Sequence, residues 1–151
     1  MSIIKNNIKE EVLIASNKII SVSCMVYSRN LNKIAVIRRT TNPEYGKICF
    51  PGGKVRNEEN YIEATKRELL EETGFLVKFH PIHLIDIVSF DKFLIIVTFA
   101  EIMGQNFAEE DQNVCWKTEE ELKEINPREY TEGFINVLEK GFKLIKMTYK
   151  I

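Results

Sequence analysis

The sequence has little of what would tie it to a membrane, an oxidising compartment or a polyanion. No apolar run approaches the roughly 20 residues that span a bilayer. The start, MSIIKNNIKEEV, carries acids and lacks the long apolar core of a secretory leader. Both point to a cytoplasmic protein with no membrane partner. Cysteine is scarce: Cys24, Cys49 and Cys115 are scattered, odd in number and without CxxC spacing. They read as buried thiols in a reducing environment rather than a zinc site or disulfides. Charge of one sign is not in excess, since 21 Lys and Arg face 22 Asp and Glu for a formal net charge of −1. Such a balance gives no broad attraction for nucleic acid, so any phosphate must be handled locally by metal or a few placed cations. The two histidines, His80 and His83, flank Pro81 outside any helical pattern and are expected at the surface.

There is also no repeat, no low-complexity tract and no Pro/Gly/Ser linker in the 151 residues. One domain spanning 1–151 is the expectation, long enough to bury a core and compatible with a monomer or a homodimer. Ile19 to Tyr27 is β-branched and reads as a strand. A turn at Asn30–Asn32 leads to a second strand, Lys33 to Arg39. Thr40 to Gly46 is a polar loop. Glu59 to Glu72 has helical character and stops at Gly74, a C-cap glycine. Leu84 to Ser89 and Lys92 to Ile102 are further strands. Thr118 to Ile125 opens with a capping box, Thr118 with Glu121. Thr131 to Ile145 closes the chain with Phe134, Val137, Leu138 and Phe142 on one stripe. Strands, helix, strands, helices in that order predict an α/β fold, a sandwich with a mixed sheet.

The densest chemistry lies in GGKVRNEENYIEATKRELLEETGF, Gly52 to Phe75. At about 100° per residue, Glu68, Glu71 and Glu72 share one helix face about 100° wide, while Ile62 and Leu69 fall on the inward flank. Like charges so crowded repel by a few tenths of a kcal/mol per pair, so a cation is expected above them. Mg²⁺ or Mn²⁺ suits an all-oxygen donor set and keeps positions open for phosphate oxygens. Gly52 and Gly53 after Pro51 predict a tight turn whose bare carbonyl could be a further ligand. Arg67 can reach back to Glu63 or Glu59, either as a clamp on helix and loop or as a solvated pair. Arg38 and Arg39 end the second strand; adjacent residues point to opposite faces, so at most one would grip a phosphate. Phe50, Tyr45 and Trp116 are candidates to stack a nucleobase or to fill core and rim.

The ordered spacing Gly53, Glu59, then Arg67-Glu68-Leu69-Leu70-Glu71-Glu72-Thr73-Gly74-Phe75 resembles the Nudix box, GX5EX7REUXEEXGU, with every fixed position filled. Phe50-Pro51-Gly52 is similar to the family's aromatic-Pro-Gly lead-in. The resemblance implies an α/β/α sandwich and Mg²⁺-dependent hydrolysis of a nucleoside diphosphate linked to another moiety. Glu68, Glu71 and Glu72 would be metal ligands, with a carbonyl of Gly52 or Gly53. A glutamate would be general base, with Glu71 the first choice. The run Glu109-Glu110-Asp111 is where the family often supplies another carboxylate, with Glu110 favoured and a solvated turn the alternative. Beyond the box, Val88-Ser89-Phe90-Asp91 has neither the proline of ADP-ribose hydrolases nor the tyrosine of dinucleoside-polyphosphate hydrolases. A nucleoside triphosphate, plain or modified, is the leading substrate. ADP-ribose, a dinucleoside polyphosphate or an RNA 5′ end are alternatives, and a non-catalytic nucleotide sensor is disfavoured by the intact carboxylates.

Overall fold

The computed structural model describes residues 17–104 and 113–151. Two long strands form its centre, β1 (Ile19–Ser28) and β7 (Phe93–Ile102), paired in parallel from Ile19↔Phe93 to Tyr27↔Glu101. Both faces of this pair are covered, which is why their sequences are almost continuously apolar instead of alternating. Around them lie β2 (Lys33–Arg38), β3 (Ile48–Cys49), β4 (Gly52–Lys54), β5 (Val77–Lys78), β6 (Leu84–Phe90) and β8 (Val114–Lys117). The sheet runs β3-β2-β1-β7-β5, with β4 on β1, β6 on β7 and β8 on β2. All pairings but β1–β7 are antiparallel, so the sheet is mixed.

The strand pleat sends alternate residues to two layers. On one face Met25, Tyr27, Val97 and Phe99 meet Phe134, Leu138, Phe142 and Ile145 of α3 (Phe134–Tyr149) and Leu122 of α2 (Glu119–Glu124). On the other, Val22, Val26, Ile96 and Ala100 lie with Tyr61, Ala64 and Leu69 of α1 (Tyr61–Thr73). The expected α/β/α sandwich is what forms, and no described helix is long and apolar enough to cross a membrane.

Several local expectations change. The glycine pair is not a tight turn: Gly52 and Gly53 lie in strand β4, registered with Ser23 and Val22. Glycine is needed there because a Cβ on Gly52 would meet the Val22 carbonyl oxygen at 1.9 Å. The last helix starts at Phe134, capped by Gly133 at φ 79°, and not at Thr131. His83 is not a surface residue. It is buried, with Nδ1 2.6 Å from the His80 carbonyl and Nε2 2.8 Å from the Tyr61 hydroxyl. The carbonyl can only accept, so Nδ1 carries a proton, and in the neutral imidazole Nε2 then accepts from the Tyr61 hydroxyl. His80 stacks on Phe99 and meets the Tyr149 hydroxyl at 2.7 Å. Of the cysteines, Cys24 is buried and Cys49 and Cys115 partly so; all three are free thiols.

Candidate active site

Helix α1 is fixed at both ends by its own sequence. Asn60 caps it, its side chain accepting from the Glu63 amide while Glu63 returns a bond to the Asn60 amide. Gly74 closes it at φ 75°, donating to the Leu70 carbonyl. With Leu69 fully buried, the period of the helix puts Glu68, Glu71 and Glu72 on the side facing β4 and solvent.

Arg67 organises this face. Its Nε and Nη2 donate to both oxygens of Glu59 at 2.6 and 2.9 Å, a bidentate fork, and Nη2 also reaches the Lys54 carbonyl at 3.0 Å. Nη1 donates to Glu68 at 2.9 Å and lies 3.4 Å from Glu71. Of the two readings of this arginine, the clamp is the one formed, on Glu59 and not on Glu63. Hydrogen bonds from Arg67 hold the Glu59 carboxyl down at about 2, against an ordinary value of 4.5. The helix is thereby tied to β4 and to the loop between them.

The carboxylates differ from one another. Glu72 accepts from the Gly52 amide at 3.1 Å, and burial pushes its carboxyl above the ordinary range, opposed by that amide and by Arg39. Glu71 is half exposed, with Arg56 3.7 Å away. Glu68 lies against the bare Cα of Gly53, where a Cβ would come 2.4 Å from its carboxyl carbon. As they stand, no three acidic, histidine or cysteine side chains among the described residues are gathered closely enough to hold a metal ion. The donor chemistry still fits a hard divalent cation: three carboxylates within five residues of one helix, against a glycine strand that leaves the space free. Arg67, Arg56 and the Gly52 amide engage those oxygens.

Beside this face lies a cavity of about 430 Å³. Its charged end includes Glu72, Gly52, Gly53, Lys54 and Arg39, and an apolar wall is formed by Val88, Phe90, Phe93 and Ile95. Arg38 and Arg39 both line it, yet both guanidinium groups are turned onto the 40–47 loop, Arg38 to the Gly46 carbonyl at 2.9 Å and Arg39 to the Pro43 carbonyl at 2.8 Å. Phe50 contributes to the cavity lining, but its ring is buried and stacks on Phe134 at 4.6 Å. Trp116 is buried near Phe75, while Tyr45 is exposed and outside the cavity lining. Glu109, Glu110 and Asp111 lie outside the described residues. The wall of Phe90 and Phe93 and the lining residue Glu44 had no signal in the sequence; only the β6–β7 hairpin and the loop fold bring them here.

Residues 17–137 match the NUDIX domain family. The chain is 34% identical over 100 residues to an 8-oxo-dGTP diphosphatase of Buchnera aphidicola subsp. Acyrthosiphon pisum, covering 64% of this chain and 81% of that one. It is 30% identical over 114 residues to the phosphatase NudJ of Escherichia coli strain K12, covering 68% and 70%. Among solved structures, a MutT NUDIX hydrolase from Burkholderia pseudomallei superposes with a TM-score of 0.64 at 24% identity, covering 81% of this chain and 96% of that one. The box on α1, its glycine strand and these matches agree: the chain belongs to the Nudix hydrolase family and is a pyrophosphohydrolase of nucleotide substrates.

Proposed function

We propose that the protein hydrolyses a pyrophosphate bond of a nucleoside triphosphate, plain or modified in its base, with Mg²⁺ or Mn²⁺ as cofactor and in the cytoplasm. One observation carries this reading. Glu72 of the carboxylate face of α1, with Gly52 and Gly53 beside it, lines the charged end of a cavity of about 430 Å³ whose other wall is apolar and aromatic. That volume is at the lower end of the range for small-molecule sites and suits one nucleotide. The name of the Buchnera relative, an 8-oxo-dGTP diphosphatase, supports the same substrate class.

Glu68, Glu71 and Glu72 would hold the metal, with a carbonyl of Gly52 or Gly53. When bound, the ion neutralises pyrophosphate charge and promotes ionisation of the attacking water. Glu71, whose side chain is half exposed, takes the general-base role, and Glu110 is the candidate beyond the helix. Arg67 holds Glu68 and Glu71 in register with β4. Phe90 and Phe93 offer a nucleobase two ring faces, and Arg38 or Arg39 turns from its loop carbonyl to a phosphate. A panel of nucleotides incubated with Mg²⁺ or Mn²⁺, with products separated by chromatography, tests the proposal. Nucleoside monophosphate plus pyrophosphate is expected. No turnover of any triphosphate, with AMP released only from ADP-linked compounds, would overturn the substrate assignment.

A further inference from the structure

The 40–47 loop separates two depressions. On one side is the cavity described above. On the other is a shallower recess of about 500 Å³, lined by Lys47, Pro127, Tyr130 and the first residues of α3. Glu44, Thr131 and Glu132 line both, so they form the partition. Glu44 is the joint of that partition. Its Oε2 accepts from the Glu132 amide at 2.9 Å and lies 3.8 Å from Lys47 Nζ, and its side chain is only 19% exposed. Its backbone sits at φ 65°, a conformation that side chains bearing a Cβ rarely adopt and that persists where the surroundings impose it. The flanks of the loop are held separately, by Arg38 on the Gly46 carbonyl and Arg39 on the Pro43 carbonyl. Releasing the Glu44 carboxylate would therefore open the partition without freeing the base of the loop.

The recess behind it has a chemistry of its own. Lys47 supplies an ammonium group, 40% exposed, and Pro127 and Ile135 supply apolar surface, with the buried Tyr130 also in the lining. That combination takes a flat, partly apolar group attached to a phosphate. The Glu44 carboxylate is itself an anion placed between Lys47 and a backbone amide, so a phosphate oxygen arriving there would compete for the same two donors.

We propose that Glu44 is a specificity-determining residue. With its carboxylate on the Glu132 amide, the cavity accepts one nucleotide; with the carboxylate withdrawn, cavity and recess join and admit a second nucleoside carried on the terminal phosphate. The inference rests on the nucleotide reading above and adds to it the length of substrate that the site excludes.

The test is binding, measured by calorimetry with Mg²⁺ present, of two non-hydrolysable probes. One is guanosine α,β-methylene triphosphate, and the other is the same compound with a second guanosine on its γ-phosphate. Glu44→Gly is the informative variant, because it removes the carboxylate while suiting the left-handed backbone, so the fold is not put at risk. Its affinity for the dinucleoside probe relative to the triphosphate should rise about tenfold or more over the native protein, the equivalent of losing one charge-assisted hydrogen bond. Glu44→Gln, whose amide oxygen can still accept from Glu132, should keep the ratio within about threefold of native. If both probes bind and Glu44→Gly leaves their ratio unmoved, the partition role is wrong while the nucleotide reading stands. An equal rise in Glu44→Gln would also overturn it, since charge and not the latch would then set the ratio. If neither probe binds the native protein, the nucleotide reading falls, and this inference with it.

Discussion

The two adjacent glycines of β4 should fail in different ways when each is replaced by alanine. At Gly53 a new Cβ would stand 2.4 Å from the Glu68 carboxyl carbon and 2.5 Å from Oε1. Ordinary contact is about 3.5 Å, so the carboxylate must retreat by about 1 Å. It is the end of a flexible side chain and can do so, at the expense of its bond to Arg67. That partly exposed pair is worth no more than about 1 kcal/mol. Restricting the unfolded chain returns about 0.4–1 kcal/mol, so Tm should move by less than roughly 4 °C. With Glu68 in the metal-binding role proposed above, its displacement by about 1 Å should nevertheless lower kcat about 10²-fold. At Gly52 the obstacles are backbone atoms of β1: the Val22 oxygen at 1.9 Å, its carbon at 2.8 Å and Ser23 Cα at 2.9 Å. Here β4 itself must separate from the sheet, costing roughly 1–3 kcal/mol and lowering Tm by roughly 2–12 °C. Triphosphate turnover and differential scanning fluorimetry on both variants distinguish the two failures. A Gly53→Ala enzyme with native kcat, or one that loses more stability than Gly52→Ala, would refute the reasoning.

Glu71→Gln or Glu72→Gln should lower kcat by roughly 10²–10⁵ with the melting curve retained, as assayed by steady-state kinetics; native turnover would remove the metal role. EDTA should abolish activity, Mg²⁺ or Mn²⁺ should restore it, and the rate should favour alkaline pH because the attacking water must lose its proton; a metal-free optimum below pH 6 would contradict this. Glu59, held at about 2 against 4.5, is a carboxyl depressed by folding, so its stabilisation is complete above 4.5 and lost as pH falls from 4.5 toward 2. Arg67→Ala should flatten the dependence of Tm on pH in that window, and an unchanged slope would show that the clamp does not couple to folding. Tyr61→Phe removes the hydroxyl that donates to buried His83 Nε2, which should cost about 1–2 kcal/mol and lower Tm by roughly 2–8 °C.

What the sequence revealed followed local period. Glu68, Glu71 and Glu72 could be placed on one face because a helix repeats every 3.6 residues whatever surrounds it. The caps at Gly74 and Thr118 depend on neighbours three or four residues away, and both formed. The long strands β1, β6 and β7 have enough apolar length to be recognised alone. Strands β3, β4, β5 and β8 are two to four residues long and exist only because a longer neighbour offers its free edge. Gly52 and Gly53 read as a turn for that reason: nothing in the glycines themselves shows that β1 lies beside them. His83 is the same kind of case, since its partner Tyr61 is 22 residues away on another layer. Arg38, Arg39, Phe50, Gly52, Gly53 and Glu72 were legible one by one as candidates, but Phe90, Phe93 and Glu44 could not be, because only topology brings them to the same cavity.

The parallel pairing of β1 with β7 also orders events during synthesis. Ile19 must wait for Phe93, and Tyr27 for Glu101, before the centre of the sheet can close. At ribosomal rates of about 5–20 residues per second, that interval is roughly 4–15 s. The whole of β4 and α1 is made within it. During that time β4 already has β1 to pair with, but α1 has Val22 beneath it without Ile96, the other half of its apolar floor. The nascent chain therefore carries an acidic helix with an uncovered apolar underside, and closing so long a loop must precede any return from burial. The last strand to dock on β1 completes the floor under the carboxylates, and of the sheet only β8, which adds to β2 at the far side of β1, is still to be made.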